Sequence, residues 1–177
     1  MRRCDKLVDA GRRAFFARTA AVAAGAAATA AIPSVTTRAA PSLALVNYPS
    51  TKLANIRDLK VNEPKQITYP DTDSPGVLIK LGSRVEGGTG PDGDIVAFST
   101  LCPHKGFPLA YRADDKSFSC PGHYSRFDAE KGGLQIFGHA TQNLPQFRLI
   151  VDQSGDIYAV AVDELIYGRL SNVVLSA

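Results

Sequence analysis

Cysteine and histidine are scarce in this chain of 177 residues, which has three of each. One of the cysteines, Cys4, falls in an N-terminal stretch that reads as a leader, so the body of the chain holds only Cys102 and Cys120. A fold stapled by several disulfides is thereby excluded. Surplus positive charge is missing too. The net charge of +3 is misleading, because seven Lys/Arg and two Asp/Glu lie in the first 39 residues and the remainder carries 13 basic against 15 acidic residues, a net of −2. Binding to nucleic acid, which needs a basic surface, is not expected. There are no internal repeats and no long low-complexity segments beyond the leader. What remains is the ordinary composition of one globular domain with a sizeable core, at 45% hydrophobic and 21% charged residues.

Residues 1–40 read as a targeting segment. Arg12-Arg13 precede Phe15-Phe16, and the 19 residues from Thr19 to Thr37 are uncharged and dominated by alanine. This resembles a twin-arginine export leader, with cleavage after Ala39, and implies delivery to the periplasm in folded form. The competing expectation is a retained anchor, because that run just reaches the length of a spanning helix. Membrane association is expected only in that case.

From Leu43 the texture changes to short apolar pieces punctuated by Pro, Gly and Asp, the pattern of an all-β domain over 41–177. Strands are expected at Lys65 to Tyr69, Gly76 to Leu81, Ile95 to Ser99, Lys116 to Ser119, Phe147 to Val151 and Ile157 to Val162. The last two flank Gln153-Ser154-Gly155 and read as a hairpin. The glycine-rich stretch Arg84 to Asp94 lacks the strand-to-helix setting of a phosphate cradle and is read as a surface loop. The end of the chain, from Asp163, is expected to form a short helical turn and an extended tail.

The chemistry is concentrated between Leu101 and Asp128, where Cys102 and His104 form one pair and Cys120 and His123 a second, in the pattern C-x-H-x15-C-x2-H. Each pair sits among turn formers: Pro103 and Gly106 in the first, Pro121 and Gly122 in the second. Two facing loops would bring four metal-binding side chains together. Two thiolates and two imidazoles can hold one tetrahedral zinc, or a 2Fe-2S cluster in which histidines replace the thiolates on one iron. One Cys and one His per loop does not match the usual zinc habit of pairing like with like.

These two loops resemble those of the Rieske iron-sulfur proteins. The resemblance implies an antiparallel β-sandwich with a small inserted subdomain whose loops, at about 100–128, hold one Rieske 2Fe-2S cluster. Cys102 and Cys120 would bind the inner iron, and His104 and His123 the outer one. Four further positions are read as tuning the cluster. Rieske proteins of cytochrome bc complexes carry an extra disulfide between the loops, and this chain has Phe107 and Gly122 at those places, so packing must clamp the loops. After the last ligand the high-potential pattern has a Ser and then a Tyr whose hydroxyls bond cluster sulfurs. Here the Ser is kept as Ser125, but Phe127 stands at the Tyr position, and a midpoint potential in the middle of the Rieske range is expected.

Weaker expectations attach to other residues. Lys105 and Tyr124 flank ligands. His139, in Gly138-His139-Ala140-Thr141-Gln142-Asn143-Leu144-Pro145, lies where Rieske folds have a third loop over the cluster, though a surface histidine with no redox role is the commoner case. Asp128 is expected to cap a turn. Arg112 and Arg126 are candidates for a partner interface, with solvated charge as the default. The C-terminal DELIYGRLSNV resembles the small subunits of arsenite oxidases. That likeness implies a large molybdopterin and 3Fe-4S subunit as partner, and cytochrome c or a similar periplasmic protein as electron acceptor. A Rieske subunit of a quinol-oxidising complex and a free-standing Rieske ferredoxin are the alternatives.

Overall fold

The computed structural model describes residues 47–173, so the leader lies outside the described residues. Among the described residues ten strands form two antiparallel sheets. The larger has the order β1-β10-β9-β4-β3-β2, with β1 at Thr51–Asn55, β2 at Lys65–Thr68, β3 at Pro75–Lys80, β4 at Ile95–Ser99, β9 at Gln146–Val151 and β10 at Asp156–Val162. The smaller runs β5-β6-β7-β8, with β5 at Ala110–Arg112, β6 at Ser117–Ser119, β7 at Arg126–Asp128 and β8 at Leu134–Phe137. Strands β4 and β9 are neighbours in the large sheet, and the whole small sheet is inserted between them in the chain.

The near-continuous apolar runs of β3 and β4 follow from burial on both faces. Side chains alternate across a strand. Val77, Ile79, Val96 and Phe98 accordingly share one core cluster with Phe118 and Phe127 of the small sheet, while Leu78, Ile95 and Ala97 enter a second cluster with Phe147, Ile157 and Ala159. The Phe98 and Phe118 rings meet edge to face with centroids 5.4 Å apart and tie the sheets together. Cys102 and Cys120 belong to the first cluster, so the inserted sheet is anchored beside the thiols.

The six expected strands all form, and Asp152 to Asp156 closes the β9–β10 hairpin, with Asp152 Oδ1 accepting from the N–H groups of Ser154 and Asp156 at 2.9 Å. Arg84 to Asp94 is indeed a loop between strands β3 and β4. Strands β1, β5, β7 and β8 are not among the expected ones. Strands of three or four residues, as β5, β7 and β8 are, are too short to show a period, and β1 is an edge strand with a register shift at Lys52/Ala54. The C-terminal segment forms no helix among the described residues. Its turn is held instead by Asn172, whose Oδ1 accepts from Ile166 N at 2.8 Å and whose Nδ2 donates to Glu164 O at 2.9 Å. No helix among the described residues is long and apolar enough to cross a membrane.

Candidate metal centre

Two loops of matching construction carry the four expected ligands. In the first, Cys102 N donates to Phe107 O at 2.9 Å and Gly106 N donates back to Cys102 O at 2.8 Å. In the second, Cys120 N donates to Ser125 O at 2.9 Å and Tyr124 N to Cys120 O at 3.1 Å. The fifth residue of each loop is left-handed, with φ of 68° at Gly106 and 61° at Tyr124. A non-glycine residue adopts this conformation at some cost, and the repeated hydrogen bonds of the loop hold it there.

The loops bring their side chains together. Both thiols are buried and free, at 1% and 2% exposure. The His104 and His123 rings lie 4.7 Å apart, and His139 joins them, its ring stacked on His104 at 5.9 Å and 6.3 Å from His123. His123 and His139 are exposed and His104 is half-buried, so the thiols form the inner end of the site and the imidazoles the outer end. The sequence reading gave His139 little weight. The third loop that carries it is bound directly to the second: Ser125 Oγ accepts from His139 N at 3.1 Å and from Ala140 N at 3.0 Å. Gly138 makes this approach possible, since a Cβ there would stand 2.4 Å from Ser125 Cα. With both acceptor positions of its oxygen filled by N–H groups, the buried Ser125 hydroxyl has its proton left to give.

The electrostatics suit a metal. Burial is the largest influence on the Cys102 thiol and raises its pKa; the Cys120 thiol facing it adds to this, while the N–H groups of His104 and Lys105, aimed at the sulfur, oppose it. A sulfur that is buried and yet approached by N–H donors becomes a stable thiolate once a cation is beside it. Desolvation first, and then the neighbouring His123, Lys105 and His139, lower the pKa of His104, which favours the neutral ring a ligand needs. Its Nδ1 is buried with no hydrogen-bond partner. Among the described residues, no three His, Cys, Asp or Glu side chains close around a single ion.

Phe107 reaches across from the first loop to Gly122 of the second and meets the His123 ring edge-on at 5.9 Å. Phe127 is fully buried in β7, paired across from Phe118 and in the same apolar cluster as the thiols. Asp128 caps the turn after β7, accepting from Glu130 N at 2.9 Å. The two arginines are engaged within the chain. Arg126 bonds Asp115 and, at 2.8 Å, Ser117 Oγ, and Arg112 bonds Asp114 at 2.7 Å. Lys105 and Tyr124 stand exposed beside the ligands.

The Rieske [2Fe-2S] domain model matches residues 50–148, which includes both loops. The chain belongs to the Rieske family. The Rieske domain binds one 2Fe-2S cluster, and the donor set just described fits that cofactor. The chain is 40% identical over 173 residues to the iodate reductase subunit IdrB of Denitromonas iodatirespirans, covering 95% of this chain and 92% of that one. With the same subunit from Pseudomonas sp. (strain SCT) it shares 42% identity over 125 residues, 69% of this chain and 65% of the relative. Among solved structures, the soluble domain of Rieske protein II (soxF) from Sulfolobus acidocaldarius aligns with a TM-score of 0.60 at 27% identity, over 67% of this chain and 80% of that one. The Rieske antiparallel sandwich anticipated from the loops is the fold observed.

Proposed function

We propose that this chain is the electron-transfer subunit of a molybdenum-containing oxyanion oxidoreductase of the arsenite oxidase kind. The observation that carries this reading is the convergence of Cys102, Cys120, His104 and His123 at one end of the inserted sheet, with the histidines outermost. In this reading Cys102 and Cys120 hold the inner iron and His104 and His123 the outer iron. The bound cluster supplies one-electron chemistry at a potential between about −150 and +300 mV. The residues of the chain keep the sulfur end dry, present the imidazole edges to a partner, and hold a hydroxyl proton at Ser125. Phe107, Gly122, Ser125 and Phe127 tune the centre.

The partner in this reading is a large subunit with a molybdopterin centre and a 3Fe-4S cluster. It passes electrons singly through this chain to cytochrome c or a similar acceptor. In this reading arsenite is bound by the large subunit, because Cys102 and Cys120 are committed to iron. The leader resembles a twin-arginine signal and supports export, already folded, to the periplasm.

One observation favours a second reading. The relative that matches nearly the whole chain is named as an iodate reductase subunit. In an iodate reductase, electrons would run through the Rieske centre toward the large subunit and not away from it. Purification of the native complex separates the two. Arsenite-dependent reduction of a dye supports the oxidase, iodate-dependent oxidation of a reduced dye supports the reductase, and isolation of the chain with no large subunit would defeat both. Replacing Cys102, His104, Cys120 or His123 singly should abolish the reduced-state paramagnetic resonance signal; a signal that survives any of these removes that residue from the ligand set.

A further inference from the structure

The C-terminal segment meets the first ligand loop at Gly106. A Cβ on Gly106 would stand 2.5 Å from both Cδ1 and Cε1 of Tyr167, so the tyrosine ring lies against the Gly106 backbone. The second loop provides an internal comparison. Its left-handed position holds Tyr124, whose side chain is 72% exposed, so the conformation alone does not demand glycine. What demands glycine at 106 is the Tyr167 ring. Gly106 in turn closes the loop through its bond to Cys102 O and sits two residues after His104.

The segment that carries Tyr167 is held firmly. Ile166 is 1% exposed in the second core cluster. Arg169 makes two bonds to Asp71, at 2.6 and 2.7 Å, and Asn172 Nδ2 reaches Tyr48 Oη at 3.1 Å. The segment also meets the third loop, where Gln142 Nε2 donates to Leu165 O at 2.8 Å. Core contacts on one side and cluster loops on the other make it a strut.

We propose that Tyr167 is a positioning residue for the iron-sulfur centre: its ring, braced by the C-terminal segment, seats Gly106 and so fixes the loop that carries Cys102 and His104. The inference rests on the reading that these loops hold the cluster. The contact uses the aromatic ring, so a phenylalanine replaces it and a small side chain does not.

The test uses the full chain with its cluster, following visible bleaching, paramagnetic resonance of the reduced state and far-ultraviolet circular dichroism. Tyr167→Ala should lose its cluster about tenfold faster and shift or broaden the g values with the far-ultraviolet spectrum unchanged, in keeping with the loss of a packed aromatic ring. Tyr167→Phe and the control Leu170→Ala should match the wild type. Gly106→Ala carries its backbone cost in any background, so a smaller effect in the Tyr167→Ala background isolates the ring contact. Unchanged g values and bleaching in Tyr167→Ala, or an equal effect of Gly106→Ala in both backgrounds, would overturn the proposal. Should Tyr167→Ala not fold, Tyr167→Leu carries the same comparison. A wild-type chain without a Rieske signal would instead sink the cluster reading itself.

Discussion

The Phe107 ring fills the space that a side chain at Gly122 would need: a Cβ there would stand 2.9 Å from Phe107 Cδ2 and 3.0 Å from its Cγ. This contact joins the two ligand loops at the positions where bc-type relatives are joined by a disulfide. The clamp here is van der Waals packing of a ring on a glycine.

Gly122→Ala should push the ring aside and destabilise the cluster-loaded protein by about 1–3 kcal/mol, as overpacking does. Phe107→Ala should leave the loops unclamped and speed cluster loss. Thermal bleaching followed in the visible checks both, and equal bleaching rates in variants and wild type would show that the ring is not a clamp.

Removing the Ser125 hydroxyl strands two backbone donors. Ser125→Ala leaves His139 N and Ala140 N without their acceptor, at a cost on the order of 1–3 kcal/mol for the buried Ala140 group and less for the part-buried His139 one. It also takes away the hydroxyl proton proposed to bond the cluster. The expected result is a lower melting temperature together with a lower midpoint potential. A fall in stability with the potential unmoved would confine Ser125 to a structural part.

Phe127 tests the missing donor from the other side. Phe127→Tyr should raise the midpoint potential, provided the added hydroxyl reaches a cluster sulfur from its buried place beside the thiols. The wild-type potential is expected in the middle of the Rieske span of about −150 to +300 mV. A redox titration of the wild type at the top of that span contradicts the reading of Phe127.

Acid should release the C-terminal strut. The hydrogen bonds from Arg169 are the largest influence on Asp71 and hold its carboxyl below the ordinary value of 3.8. A carboxylate with a depressed folded-state pKa gives stability that is complete above its unfolded-state pKa and fades as pH falls through the folded-state one. The wild type should therefore lose urea resistance more steeply than Asp71→Asn on acidification below pH 3.8. Parallel curves for the two proteins would count against the Asp71–Arg169 tie as a stabilising contact.

The converging Cys/His quartet was legible in the linear chain because its spacing is local. Each Cys/His pair lies within four residues and is flanked by its own turn formers. The central strands were legible for a similar reason, since burial on both faces leaves a continuous apolar run, as at Ile95–Ser99. The short strands β5, β7 and β8 were not, because three or four residues carry no period and exist only by pairing with their neighbours. Asp163 onward was read as a helical turn because its pattern does not reveal that Asn172 would fold back on Ile166 and Glu164.

The sequence by itself determined the cofactor class, the all-β character and the absence of a second cysteine pair, since each follows from residue identities and short spacings. Tertiary structure alone decided which distant side chains lie against the candidate site. His139 was an unassigned histidine until the third loop crossed Ser125, and Tyr167 was part of a tail until it met Gly106, 61 positions away in the chain. Contacts over such separations leave no mark in local composition; they arise when the strands close and the core sets where each loop must lie.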